Sequence, residues 1–221
     1  MEDLTLVIGN RNYSSWSLRA WLALAHADVE FETVLLPLDT PQFFERIGEY
    51  SSSGRVPVLW HDGVCIWDSL AIGEYVNEQF ASGGLWPEDS ASRAMGRSMA
   101  SEMHSSFIAL RNALPMNIRA SRVVRLDEAT QSDINRVFTL WADARAAHAD
   151  VGPFLLGQYT LLDAMFAPVV SRFKTYDIAL PDDLEDYGKA VLADTAMVQW
   201  TAEALQETDI VDADEAGEPR E

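Results

Sequence analysis

Cysteine is almost missing from this sequence: Cys65 is the only one in 221 residues. No intrachain disulfide can form, and a reducing compartment, most simply the cytoplasm, is the expected location. Histidine is scarce as well, and its four copies with the lone cysteine make no cluster spaced for a metal. No metal is expected. Positive charge is also short, with 14 Arg and 2 Lys against 35 acids and a net charge of −19. So acidic a chain opposes the phosphate neutralisation on which nucleic-acid binding relies, and an anionic membrane repels it. Neither a nucleic acid nor a membrane is expected as a partner. No apolar run approaches the roughly 18 residues of a membrane span. The stretch Met1 to Thr5 carries two acids where a secretory leader carries bases, so neither a membrane helix nor a signal peptide is predicted.

What is present is the patterning of an ordinary globular protein, 48% hydrophobic and 10% aromatic. Leu4 to Ile8 is short, apolar and closed by Gly9-Asn10, which predicts a buried strand. Leu18, Trp21, Leu22, Leu24 and Ala25 recur at helical spacing after Ser14-Ser15-Trp16-Ser17, whose hydroxyls suit an N-cap. Phe31 to Leu36 predicts a second strand, parallel to the first across a βαβ unit. After a polar, partly helical stretch from Thr40 to Tyr50, Val58 to Trp60 and Val64 to Ile66 flank His61-Asp62-Gly63, the pattern of a hairpin. Asp68-Ser69 then opens an amphipathic helix ending near Phe80.

Residues 81–89 break the periodicity and predict a linker between residues 1–80 and an all-helical domain at 90–208. Helices are expected at 90–117, 127–149, 161–173, 184–193 and 196–207. Residues 209–221 are acid-rich and are expected to be a disordered, solvated tail.

The order βαβ, helix, ββα followed by helices, with Ser14-Ser15-Trp16-Ser17-Leu18-Arg19, Gly54-Arg55-Val56-Pro57 and Asp68-Ser69-Leu70-Ala71-Ile72 in their places, resembles the glutathione transferase superfamily, its bacterial members included. The resemblance covers the whole chain. It implies an α/β plus all-α fold, with an N-terminal thioredoxin-like domain that binds glutathione and a C-terminal helical bundle domain. The first motif is similar to the Ser-Ser-Cys-Ser-x-Arg signature of zeta-class enzymes, which isomerise maleylacetoacetate or related acids; Trp16 fills the cysteine position.

The resemblance implies roles residue by residue. Ser14 activates the thiol, with Ser15 in reserve and also at the glutathione site; a hydroxyl at a helix N-terminus suits a thiolate in any case. Tyr13 is a third hydroxyl at this place. Pro57 is expected to be cis, leaving the backbone of Val56 to pair with the cysteine of glutathione. Asp68 and Ser69 take the γ-glutamyl amino and carboxylate groups, and Arg19 and Arg55 add charge near the tripeptide. His104 and Arg111 are expected on one long helix facing an electrophile pocket, with Met103 and Phe107 in the core. Thr160 to Asp163 predicts a structural capping box, and Cys65 reads as a small buried hydrophobe. The function implied is a glutathione transferase, a homodimer whose co-substrate is glutathione and whose second substrate is a small electrophile. The alternatives are a non-catalytic interaction module of the same fold and a zeta-like isomerase.

Overall fold

The computed structural model describes residues 4–220. Glu2 and Asp3, the acids at the start of the chain, lie outside the described residues. The first half runs β1 (Leu4–Ile8), α1 (Ser15–His26), β2 (Glu32–Leu35), α2 (Pro41–Tyr50), β3 (Val58–His61), β4 (Val64–Trp67) and α3 (Ser69–Gln79). Its sheet has the order β2-β1-β3-β4, with β1 parallel to β2 and the other pairs antiparallel.

Strand alternation divides the core. Leu4, Leu6 and Ile8 of β1 face α1 and α3, whereas Val7 faces α2 with Leu36, Phe43, Ile47 and Val58. Helix α2 is regular where only a partly helical stretch was expected, because Thr40 accepts from the Phe43 N–H and Pro41 stands at the first helical position. The β3–β4 hairpin turns on Asp62 and Gly63 at φ 47° and 80°, the left-handed pair that a two-residue turn needs.

The second half is helical: α4 (Ser90–Ser105), α5 (Ile108–Ala113), α6 (Glu128–His148), α7 (Leu161–Thr175), α8 (Glu185–Ala193) and α9 (Thr195–Ala204). Helix α7 is buried over nearly its whole length and packs on α1, joining the two halves in one apolar cluster. Asp163 accepts from the Thr160 and Leu155 N–H groups and the Thr160 hydroxyl, which fixes the start of α7. The expected capping box is therefore present.

Two expectations change. The helix expected over 90–117 is broken at Ser106–Phe107, where Phe107 takes φ 61°. Its ring is buried, and the Arg111 guanidinium crosses the break to donate to the carbonyls of His104 and Ser106. Phe107 and Arg111 therefore belong to a different helical segment from Met103 and His104.

Nor is 209–220 a disordered tail, although most of its residues are exposed as expected. Val211 is buried, 212–214 form a 3-10 turn, and β6 (Glu218–Pro219) pairs antiparallel with β5 (Arg122–Val123). The acids hold it in place: Asp209 accepts from Asn10, and Glu215 from Tyr13, Asn117 and Arg122. Arginines far away in sequence supply the counter-charge that the segment lacks by itself.

Candidate glutathione site

Two cavities meet at the N-terminus of α1. The smaller, of about 490 Å3, is lined by Trp16, Ser53, Arg55, Val56, Pro57, Trp67, Asp68, Ser69 and His104. The larger, of about 690 Å3, lies between the sheet domain and the helices; Ser14, Ser15, Arg111, Arg172 and Asp214 are among its lining. Trp16, Arg55, Val56 and His104 line both, so a molecule extending from one into the other passes Val56.

In the smaller cavity the Val56–Pro57 peptide is cis. Asp68 caps α3, accepting from the Leu70 N–H at 3.0 Å and the Ala71 N–H at 3.5 Å, and does so at φ 76°. That conformation is sparsely populated for a residue with a Cβ and costs about 1–3 kcal/mol. Its other oxygen lies 3.0 Å from Nε2 of His104. Ser69 begins the helix, is 3% exposed, and its hydroxyl has no hydrogen-bond partner among the described residues. An unpaired buried hydroxyl costs about 1–3 kcal/mol. Because Asp68 already takes the Leu70 and Ala71 N–H groups, this hydroxyl at the positive end of the helix is a donor left over for a carboxylate. Arg55 is exposed at the rim.

The serines differ. Ser14 caps α1: its Oγ accepts from the Ser17 N–H at 3.3 Å and donates to the Ser17 Oγ at 2.7 Å, and the Ser17 Oγ also accepts from the Gly9 N–H. Ser15 accepts from Nη2 of Arg172 at 3.1 Å. Tyr13, the third hydroxyl considered, donates to Glu215 at 2.6 Å and accepts from Arg119. Burial first, and then the bond to Glu215, holds its pKa above the ordinary phenol value, so it is a poor source of a proton for a neighbouring anion.

The structure places Arg19 beneath the site and not on its surface. It is 1% exposed and donates to the carbonyls of Met165 at 2.9 Å and Ser15 at 3.1 Å. Arg19 and Arg111 stack on Trp16 at 4.5 and 5.1 Å from its ring centroid, and His104 meets the ring edge-on. The indole thus occupies the junction between the cavities. Burial, then the charges of Arg172 and Arg111, press the Arg19 pKa well down.

His104 and Arg111 both line the larger cavity although they stand on either side of the helix break. Met103 and Phe107 are buried in the core, as expected. Cys65 is only partly buried, and its thiol faces the Tyr50 carbonyl at 3.8 Å, away from both cavities. Among the described residues no group of three or more His, Cys, Asp or Glu could hold a metal, and no helix is long and apolar enough to cross a membrane.

Arg172 and Asp214 were not singled out in the sequence. Arg172 had one visible signal, a charge next to the long apolar run of α7. Asp214 had none, because its neighbours in sequence are equally acidic.

Residues 13–79 match the family model of the glutathione S-transferase N-terminal domain. Glutathione S-transferase L1 of Arabidopsis thaliana is 26% identical over 163 residues, 72% of this chain and 62% of that one; the chain thus spans less than two thirds of this plant relative's length. Maleylacetoacetate isomerase of Rattus norvegicus is 28% identical over 190 residues, covering 83% of this chain and 85% of that one. Among solved structures, a theta class glutathione S-transferase of Xanthomonas axonopodis pv. citri with glutathione bound superposes with a TM-score of 0.66 at 25% identity, over 93% of this chain and all of the other. Domain match, relatives and shared fold thus all lie among the glutathione transferases and their zeta-type relatives, to which this chain is similar.

Proposed function

We propose that the protein is a glutathione-dependent transferase which binds the tripeptide in the smaller cavity and presents its thiol in the larger one. The observation that carries this reading is the position of Val56, which precedes cis-Pro57 and lines both cavities. In this reading its backbone pairs with the cysteine of glutathione. Asp68 then receives the γ-glutamyl amino group and Ser69 the adjoining carboxylate, with Arg55 at the rim. The thiol loses its proton to solvent, helped by the N-terminus of α1. The thiolate sulfur forms a bond to an electrophilic carbon; in a substitution that carbon expels a leaving group with its electron pair, and in an addition the electron pair of the broken π bond moves to the neighbouring α-carbon, which takes up a proton from water.

The electrophile is a small molecule bearing an anionic group. Arg111 and Arg172 line the larger cavity, and their hydrogen bonds go to carbonyls and one hydroxyl, not to carboxylates. His104 stands at the junction and steadies Asp68. The test is conjugation of glutathione to matched electrophiles, an α,β-unsaturated acid and its primary amide. The acid is expected to have the lower KM; turnover of neither would refute the transferase reading.

A second reading is favoured by the rat isomerase match and the same arginines, namely glutathione-dependent isomerisation of an unsaturated acid. Trp16 is the objection to it. Gain of isomerase activity by Trp16→Cys would support the reading, and no gain would count against it. Finally, the resemblance supports a homodimer and the single cysteine a reducing compartment, and sedimentation at micromolar concentration tests the dimer.

A further inference from the structure

Two adjacent serines stand at the N-terminus of α1, but their hydroxyl protons are not equally available. The Ser14 proton is engaged by the Ser17 Oγ at 2.7 Å, inside a closed group that also holds the Gly9 N–H. Ser15 differs in that its oxygen already accepts a bond while its own proton has no acceptor among the described residues. That bond comes from Arg172, 157 positions along the chain, at 3.1 Å. Both serines line the larger cavity.

Arg172 is held firmly. Nη1 donates to the carbonyls of Arg111 and Leu114, Nη2 to Ser15, and the residue is 5% exposed. Its Nε has no partner among the described residues. A guanidinium fork with both ends engaged loses little further freedom when the hydroxyl bonds to something else. Hydrogen bonds in series polarise one another: a cation donating into the Ser15 oxygen makes its O–H a stronger donor. Burial brings the Arg172 pKa down to about 10, which leaves it charged at neutral pH.

We infer that Ser15, and not Ser14, donates the hydrogen bond that stabilises the glutathione thiolate, and that Arg172 is the positioning residue that orients and polarises it. The inference rests on the glutathione reading given above. Ser14 is the helix cap, so its removal acts on stability. Arg172 touches neither glutathione nor the reacting atoms in this account; it acts through Ser15.

The experiment follows thiolate ultraviolet absorbance of bound glutathione across pH, at saturation fixed by calorimetry, in wild type, Ser14→Ala, Ser15→Ala, Arg172→Lys, Arg172→Gln and the double variant Ser15→Ala/Arg172→Gln. Ser15→Ala is expected to raise the apparent thiol pKa by about one unit, the loss of one charge-assisted bond. Arg172→Gln should raise it too, and the double variant no further than the larger single shift. Arg172→Lys, which keeps the charge but not the fork, should lie between wild type and Arg172→Gln. Ser14→Ala should lower Tm and leave the pKa in place. A shift in Ser14→Ala with none in Ser15→Ala would overturn the assignment of the donor. Full additivity in the double variant would overturn the role of Arg172 through Ser15. Should Arg172→Gln fail to fold, Arg172→Lys alone and combined with Ser15→Ala carries the same comparison. Absence of any calorimetric binding by the wild type is a separate outcome, which overturns the glutathione reading and this inference with it.

Discussion

Removing the Ser69 hydroxyl should raise stability and lower affinity, a pair of opposite signs that distinguishes a ligand-binding group from a helix cap. In the free protein that hydroxyl is buried and unpartnered among the described residues. The cap of α3 is supplied by Asp68, so Ser69→Ala deletes an unsatisfied polar group and no helix cap. Relief of even about 1 kcal/mol of such a penalty raises Tm by roughly 2–4 °C for a chain of this length. In the complex the hydroxyl donates to a carboxylate, a bond contributing about 1.5–3 kcal/mol. Its loss should weaken glutathione binding by about 10- to 150-fold. Calorimetric titration measures the affinity and a thermal melt the stability. Cysteinylglycine, which lacks the γ-glutamyl group, should bind wild type and variant equally weakly. A variant that melts lower than wild type and binds glutathione equally well would refute the reasoning, because Ser69 would then be part of the helix start and nothing more.

Further outcomes follow from the tail and from buried charge. A chain ended at Thr208 loses buried Val211 and leaves Tyr13, Asn117 and Arg122 without Glu215. The cost should be about 2 kcal/mol or more, lowering Tm by roughly 4–8 °C; an unchanged melt would contradict the fold-back. Burial raises the Asp214 carboxyl from 3.8 to about 6. The folded state therefore keeps this proton in a range where the unfolded chain has released it, and the stability it contributes at low pH is lost as pH rises from about 4 through about 6. Asp214→Asn cannot ionise, so its advantage in Tm over wild type should be absent near about pH 4 and present at about pH 7; a pH-independent difference would refute this.

Local chemistry made the sheet domain legible. Asp62-Gly63 encodes its hairpin and the apolar run Leu4 to Ile8 its first strand, whereas the regularity of α2, started by Thr40-Pro41, and the two faces of β1 appeared only in the structure. Asp68-Ser69 was readable for the same reason, since capping and anion binding use one geometry. Features set by distant partners were not. Nothing in Ser105-Ser106-Phe107 punctuates a helix in the way Gly or Pro would; the break is held by a buried ring and by Arg111. The acidic stretch 209–220 looked disordered because the arginines that pair with it lie far away in sequence. The same holds for the site. Ser14 and Ser15 are adjacent hydroxyls in the sequence, ranked there only by the resemblance; Ser17, which takes the Ser14 proton, and Arg172, placed by the packing of α7 on α1, separate them in the structure. Arg19 was expected near the tripeptide because it follows the serines by one turn, yet α1 is buried on that face, and its guanidinium turns to α7.

The central claim is that the cavity holding cis-Pro57, Asp68 and Ser69 binds glutathione. Calorimetric titration of the full chain with reduced glutathione tests it most directly. The account predicts saturable binding, one tripeptide per chain, weakened by Ser69→Ala. No heat of binding up to millimolar glutathione, in a preparation that melts cooperatively, would contradict it.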